Sequence, residues 1–202
     1  TRTLVPNISI VDPLILRTKT TKLIIQAAAD ALAHAVEAYV SRIASPFTEM
    51  QSLKAIDLIL RHLPSAVQTR SLDSLEQLSV ASISASMAFS NAGLGAEHAL
   101  AHSLGGYFDM PHGNVHPILL PAVMRFNLSH APEKLATIGQ VILNKRLGSD
   151  HETAQGGIAK LEEFFSSFQV PLKLHQEIEE DKKHNLDQIC KMAVNDACNL
   201  TN

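Results

Sequence analysis

Four histidines, His98, His102, His112 and His116, fall within nineteen residues of a chain that holds ten. His98 and His102 are four apart, so on a helix their imidazoles leave one face with Cβ atoms about 5 to 6 Å apart, which suits two ligands on one metal. Asp30 and His34 repeat that spacing and set a hard anionic oxygen beside a nitrogen donor. Pro111-His112-Gly113 adds an imidazole at a turn where the backbone can come close. Each feature has a plainer reading: a solvated face or capped core for the His pair, a surface hydrogen bond for Asp30 with His34. Taken together they point to a divalent cation held by oxygen and nitrogen donors. His62, His130, His151, His175 and His184 stand singly and receive no function. Glu179 to Lys183 reads as a solvated helix end, and Cys190 and Cys198 as buried small hydrophobes.

Helices are what could hold such residues in register. Leu53, Ile56, Leu60 and Leu63 recur at helical steps after a Ser45-Pro46 start with Glu49 in the first turn, which predicts an amphipathic helix ended or kinked at Pro64. Asp73-Ser74-Leu75-Glu76 looks like a capping box before a Ser/Ala-rich run, Ser79 to Ala88, where a neighbour can approach closely. Further helices are expected near 94–104, 115–127, 132–143, 153–168 and 185–198, separated by Gly105-Gly106, Pro111, Gly148 and Pro171. Ile8 to Val11, closed by Asp12-Pro13, is a single short strand or an extended lead-in. The expected fold is an all-α helical bundle occupying residues 1–202 as one domain.

Bulk properties narrow the partners. With 202 residues, 46% hydrophobic and 18% charged, the chain can bury a substantial core. A net charge of −3 argues against nucleic acid or an anionic membrane surface as partner. The apolar stretch Leu23 to Val40 is interrupted by Gln26, Asp30, His34 and Glu37, against a bilayer-spanning role. Two cysteines, about 12 Å apart if they share one helix, cannot form a disulfide there and fit a reducing cytoplasm. No secretory leader pattern appears, and a start at Thr1 suggests excision from a longer protein. No glycine-rich phosphate loop of Rossmann or Walker type is present, so the chain shows no grip for a dinucleotide pyrophosphate.

The segment Asp30-Ala31-Leu32-Ala33-His34-Ala35-Val36-Glu37-Ala38-Tyr39 resembles the "DALxHAxEAY" motif of the iron-containing alcohol dehydrogenases. Asn91-Ala92-Gly93-Leu94-Gly95 leads into His98-Ala99-Leu100-Ala101-His102-Ser103-Leu104-Gly105-Gly106, which is similar to that family's other signature. Pro111-His112-Gly113, Leu119-Leu120-Pro121 and Asp196-Ala197-Cys198 through Thr201-Asn202 extend the resemblance over essentially the whole chain. It implies the C-terminal helical domain of the dehydroquinate synthase-like plan, with metal ligands at Asp30, His34, His98 and His112. His102 would sit beside substrate and nicotinamide, ordering the alcohol or relaying its proton. The implied cofactors are Fe²⁺, with Zn²⁺, Co²⁺, Ni²⁺ or Mn²⁺ admitted by the same donors, and NAD or NADP. The implied chemistry is metal-assisted hydride transfer between a small alcohol and its aldehyde or ketone, with a separate N-terminal nucleotide-binding domain as partner and room for a homo-oligomer. A glycerol dehydrogenase-like or dehydroquinate synthase-like metalloenzyme, or a helical metal-binding module without catalysis, are the alternatives. Departures from the pattern are Thr20 for proline, Ala28-Ala29 for Gly-Met, and His116-Pro117 for a common Asn-Ala, the last lying near the site.

Overall fold

How closely helices approach depends on the side chains between them, and this sequence puts alanine and serine at the contacts. The computed structural model describes residues 6–178 and 185–201, and among these every regular element is helical, as expected. The charge run Glu179 to Lys183 and His184 lie outside the described residues.

Helix α1 (Thr21–Val40) starts where the Thr20 hydroxyl accepts the Leu23 N–H at 3.2 Å, so the residue that departs from the family pattern acts as its N-cap. Ala28, Ala29, Ala31, Ala33, Ala35 and Ala38 are all buried, and they let α2 (Pro46–Gln68), α3 (Leu72–Ala92) and α5 (His112–Asn127) pack around α1. By length and composition α1 could cross a bilayer, but 67% of that stretch is buried inside the protein, as in a core helix. Leu32, Ile56, Ile59, Leu63, Leu75, Leu120 and Phe165 fill the core around it. Helix α4 (Ala96–Phe108) lies against α5 and α8 (Leu186–Val194), and α6 (Pro132–Leu143) pairs with α7 (Asp150–Ser166).

Several expected boundaries move. Helix α2 begins as read, with Ser45 and Thr48 capping each other and Pro46 in the first turn, but it runs through Pro64 to Gln68. A proline removes one backbone bond, and the fully buried Leu63 and Ala66 on either side hold the helix together across it. Helix α3 is capped by Ser71, whose hydroxyl accepts the Ser74 N–H, so Asp73 is a first-turn residue and not the start of a capping box. Gly105 and Gly106 lie inside α4, which ends at Asp109 in a left-handed conformation (φ 57°). Ile8 to Val11 forms no strand and is an exposed lead-in to a 3-10 turn over Pro13–Thr18. The last predicted helix is split into α8 and a 3-10 turn over Ala197–Thr201, so Cys190 and Cys198 do not share a helix. Cys190 is exposed and Cys198 half-buried, against the reading of both as buried hydrophobes.

The α6/α7 pair shows how tightly the small residues are used. A Cβ on Gly157 would lie 2.4 Å from the Gly139 Cα, and one on Gly139 would lie 2.4 Å from the Thr153 carbonyl oxygen. These are backbone atoms, which cannot rotate away. Gly139→Val should therefore destabilise the protein by about 1–3 kcal/mol through overpacking, read as a lowered Tm, while Gly106→Ala, which meets nothing within 4 Å, should leave Tm unchanged or slightly raised.

Candidate metal centre

Three helices bring their polar residues to one point beside α1. Asp30 and His34 lie one turn apart on α1, His98 is in the first turn of α4, and His112 is the first residue of α5. The structure brings Asp30, His98 and His112 together, while His34 approaches Asp30 but lies outside the set of mutually close donors. Oxygen Oδ1 of Asp30 is 3.6 Å from His34 Nε2, 3.5 Å from His98 Nε2 and 3.6 Å from His112 Nε2. It is also 3.2 Å from Nε2 of His116, a residue not expected among the ligands. Asp30, His98, His112 and His116 each offer one donor atom, all within 4.8 Å of one another. Among the described residues, the single histidines His62, His130, His151 and His175 do not join them.

These distances match a shared ion better than a set of hydrogen bonds. Donors bound at about 2.0–2.2 Å to one ion lie roughly 3.0–3.5 Å apart at angles between 90° and tetrahedral. Asp30 Oδ1, His98 Nε2 and His116 Nε2 are moreover buried without a hydrogen-bond partner in the protein. Unpartnered buried polar atoms are costly, and three facing one another call for a cation. The residues therefore fit a divalent metal.

Buried carboxylates aim the imidazoles. Helix α4 begins at Gly95, which has no side chain to cap it, and Glu37 of α1 supplies the acceptor instead. Its carboxylate accepts the backbone N–H of Glu97 at 2.7 Å and of His98 at 3.4 Å, and His98 Nδ1 at 2.7 Å. Holding Nδ1 as the donor leaves the Nε2 lone pair facing Asp30. Glu97, fully buried, accepts His116 Nδ1 at 3.0 Å and approaches His98 Nδ1 at 3.2 Å. Gly113 permits the approach of α5 to α1, since a Cβ there would meet Gln26 Cβ at 2.5 Å.

The electrostatics follow from this arrangement. Burial opposes ionisation of Asp30, but the imidazoles of His112, His116 and His98 facing it outweigh burial and hold the carboxyl well below its usual range. Burial likewise disfavours charge on His98 and His116, yet the carboxylates around them win, raising His98 to about 11 and His116 to about 9. Burial dominates at His34, which falls to about 4. Glu97 is held low, against its burial, by His116 and His98. The lone pairs that hold protons so firmly are the ones a metal would use, so proton and metal compete for them.

His102 stands at the edge of this cluster, half-exposed, with its ring 5.6 Å from that of His112. Its Nδ1 donates to Asp196 Oδ2 at 3.1 Å, which leaves Nε2 as an acceptor. The other oxygen of Asp196 accepts the Cys198 N–H at 2.8 Å, and Cys198 Sγ is 3.9 Å from His102 Nδ1. Sequence reasoning assigned no role to Asp196, Glu37 or Glu97, and passed over His116 as a donor. For His116 the signal was present: it is four residues from His112, the same spacing used for the other pairs. The spacing applies only if both residues share a helix: the sequence predicts a turn at His112 and a helix from near 115, whereas α5 starts at His112 itself.

A sequence profile described as "Fe-containing alcohol dehydrogenase family, C-terminal" matches residues 24–202. The chain is 43% identical over 171 residues to 1,3-propanediol dehydrogenase of Klebsiella pneumoniae, covering 84% of this chain and 44% of that protein. It is 35% identical over 199 residues to the NADPH-dependent butanol dehydrogenase of Clostridium saccharobutylicum, covering 98% of this chain and 51% of that protein. Among solved structures, a 1,3-propanediol oxidoreductase superposes with a TM-score of 0.93 at 38% identity, over 98% of this chain and 52% of that one. The iron-containing alcohol dehydrogenase of Thermococcus thioreducens gives 0.89 at 30% identity, over 98% and 50%. The chain spans about half the length of the relatives it matches.

The edge of the site makes a direct test available. Burial and the neighbouring Asp196 carboxylate push the Cys198 thiol up to about 12, so at pH 8 roughly 10⁻⁴ of it is thiolate, the reactive form. Cys190 is exposed on α8. Iodoacetamide at pH 8 should modify Cys190 at least about tenfold faster than Cys198, read by peptide mass spectrometry, and Asp196→Asn should speed modification of Cys198. Equal rates at the two cysteines would contradict the described environment.

Proposed function

The chain belongs to the Fe-containing alcohol dehydrogenase family, and from that premise we propose that it is the metal-binding catalytic half of an NAD(P)-dependent alcohol dehydrogenase acting on a small alcohol and its aldehyde or ketone. The observation that supports this most is the convergence of imidazole Nε2 atoms on Asp30 Oδ1, with Oδ1 and His98 Nε2 buried and unpartnered. Asp30, His34, His98 and His112 would hold the metal, iron or another first-row divalent ion. A bound cation supplies Lewis-acid polarisation of an alcohol or carbonyl oxygen.

The protein's own residues do the rest. Asp30 brings negative charge that would offset part of a divalent cation's, and Glu37 behind His98 turns that imidazole toward Asp30. His102, at the edge of the cluster, would stand at the substrate. Because Asp196 fixes its Nδ1 as a donor, its Nε2 can accept the alcohol's proton and return it in the reverse direction. Nicotinamide would be delivered by an N-terminal nucleotide-binding domain outside residues 1–202, consistent with the half-length match to the relatives. Two unpaired cysteines suit a reducing, cytoplasmic setting.

Anaerobic titration with Fe²⁺ or Zn²⁺ tests the metal assignment by calorimetry. The wild type should bind one ion. His98→Ala and His112→Ala should weaken binding by at least the roughly 10–100-fold that loss of a supporting group costs, and His102→Ala by clearly less. The ligand assignment is wrong if His102→Ala abolishes uptake while His98→Ala does not. In a second experiment, the 202-residue chain supplied with metal, NAD(P)H and aldehyde should show no turnover above background. Hydride transfer requires a bound, oriented nicotinamide, and robust turnover would place the nucleotide site within this chain.

A further inference from the structure

We infer that His116 is an additional protein ligand of the metal centre, so that four imidazoles and one carboxylate, not three imidazoles and one carboxylate, hold the ion. This rests on the metal-binding reading above and goes beyond the ligand set that the family resemblance implies. Where that family commonly has Asn-Ala, this chain has His116-Pro117.

The case lies in how closely His116 repeats the construction of His98. Both rings are buried, at 0% and 1% exposure. Each donates Nδ1 to a buried carboxylate of its own, His98 to Glu37 at 2.7 Å and His116 to Glu97 at 3.0 Å. Each leaves Nε2 buried, unpartnered and aimed at Asp30 Oδ1, and the His116 distance of 3.2 Å is the shortest of the four. A carboxylate behind the imidazole and an unpartnered nitrogen in front of it is the arrangement that metal-binding histidines show. A core histidine with only a structural role would be expected to satisfy both ring nitrogens.

Helix geometry explains how one substitution adds a donor. His112 and His116 are one turn apart on α5, with ring centroids 4.6 Å apart, and both face Asp30. Pro117, next in the chain, also lies inside α5, where it donates no backbone hydrogen bond. Glu97 ties the two deep rings together, contacting Nδ1 of both His98 and His116. An extra imidazole moves the donor set toward ions that prefer nitrogen, such as Co²⁺, Ni²⁺ and Zn²⁺, and away from Mn²⁺.

X-ray absorption on the Co²⁺- or Zn²⁺-loaded chain counts imidazoles directly, through the scattering of their outer ring atoms. The wild type should show four, and His116→Asn three. The same variant should lose Co²⁺ affinity by at least about tenfold while losing less for Mn²⁺, and Glu97→Gln, which weakens the support behind the His116 and His98 rings and keeps both imidazoles, should lose roughly 10–100-fold. Three imidazoles in the wild type would overturn the inference while leaving the metal centre standing. No stoichiometric uptake by the wild type would overturn both. Should His116→Asn fail to fold, the wild-type count decides by itself.

Discussion

The site depends on one buried carboxylate. Glu37, at 2% exposure in the last turn of α1, caps the start of α4 and turns His98 toward Asp30 in a single contact set. A helix beginning at glycine has backbone N–H groups with nothing local to bond. Here they are satisfied from another helix, so the position of α4 and the orientation of its first histidine are fixed by the same two oxygens. Charge favours the arrangement as well, since an anion at a helix N-terminus is stabilised by the helix dipole. Breaking that contact would leave an unpaired carboxylate and the unpaired backbone N–H groups of Glu97 and His98 in the interior, each more costly than the bond itself is favourable.

Three carboxylates, Asp30, Glu37 and Glu97, meet in this small volume, and buried negative charge is tolerated only with compensation nearby. The imidazoles provide it, either as protonated partners or as neutral ligands sharing a cation's charge with Asp30. Either way carboxylates and histidines are mutually dependent. This explains why His98 and His116 hold protons tightly while His34, lacking a carboxylate on its far side and stacked against Phe89 and His98, does not. The depth of the site is uneven. His98 and His116 are sealed in, while His112 and His102 are half-exposed. The exposed side is also where the His102–Asp196 pair lies. The remainder of the fold serves to hold α1 rigid, with alanine on α1 and serine and alanine on α3 allowing helix axes to come close.

Sequence by itself determined the helical class, the start of α2, and the placing of Asp30 with His34 and of His98 with His102 on shared helix faces, because helix periodicity and i, i+4 spacing are local properties that survive whatever the helices pack against. Long-range facts were decided only by the tertiary structure. That Pro64 sits within a helix depends on buried neighbours holding both sides of it, and the split of the last helix places Asp196 and Cys198 against His102 from a different element. The roles of Glu37 and Glu97 could not be read along the chain either, since each acts on a ring carried by another helix, 61 residues away for Glu37 and His98 and 19 for Glu97 and His116. His116 lies between the two cases. Its spacing from His112 was legible, but the helix had to begin at His112 for the spacing to apply, and that start is set by the packing of Gly113 against α1. Local spacing can say which residues share a face; only the packing of one helix on another says what that face meets.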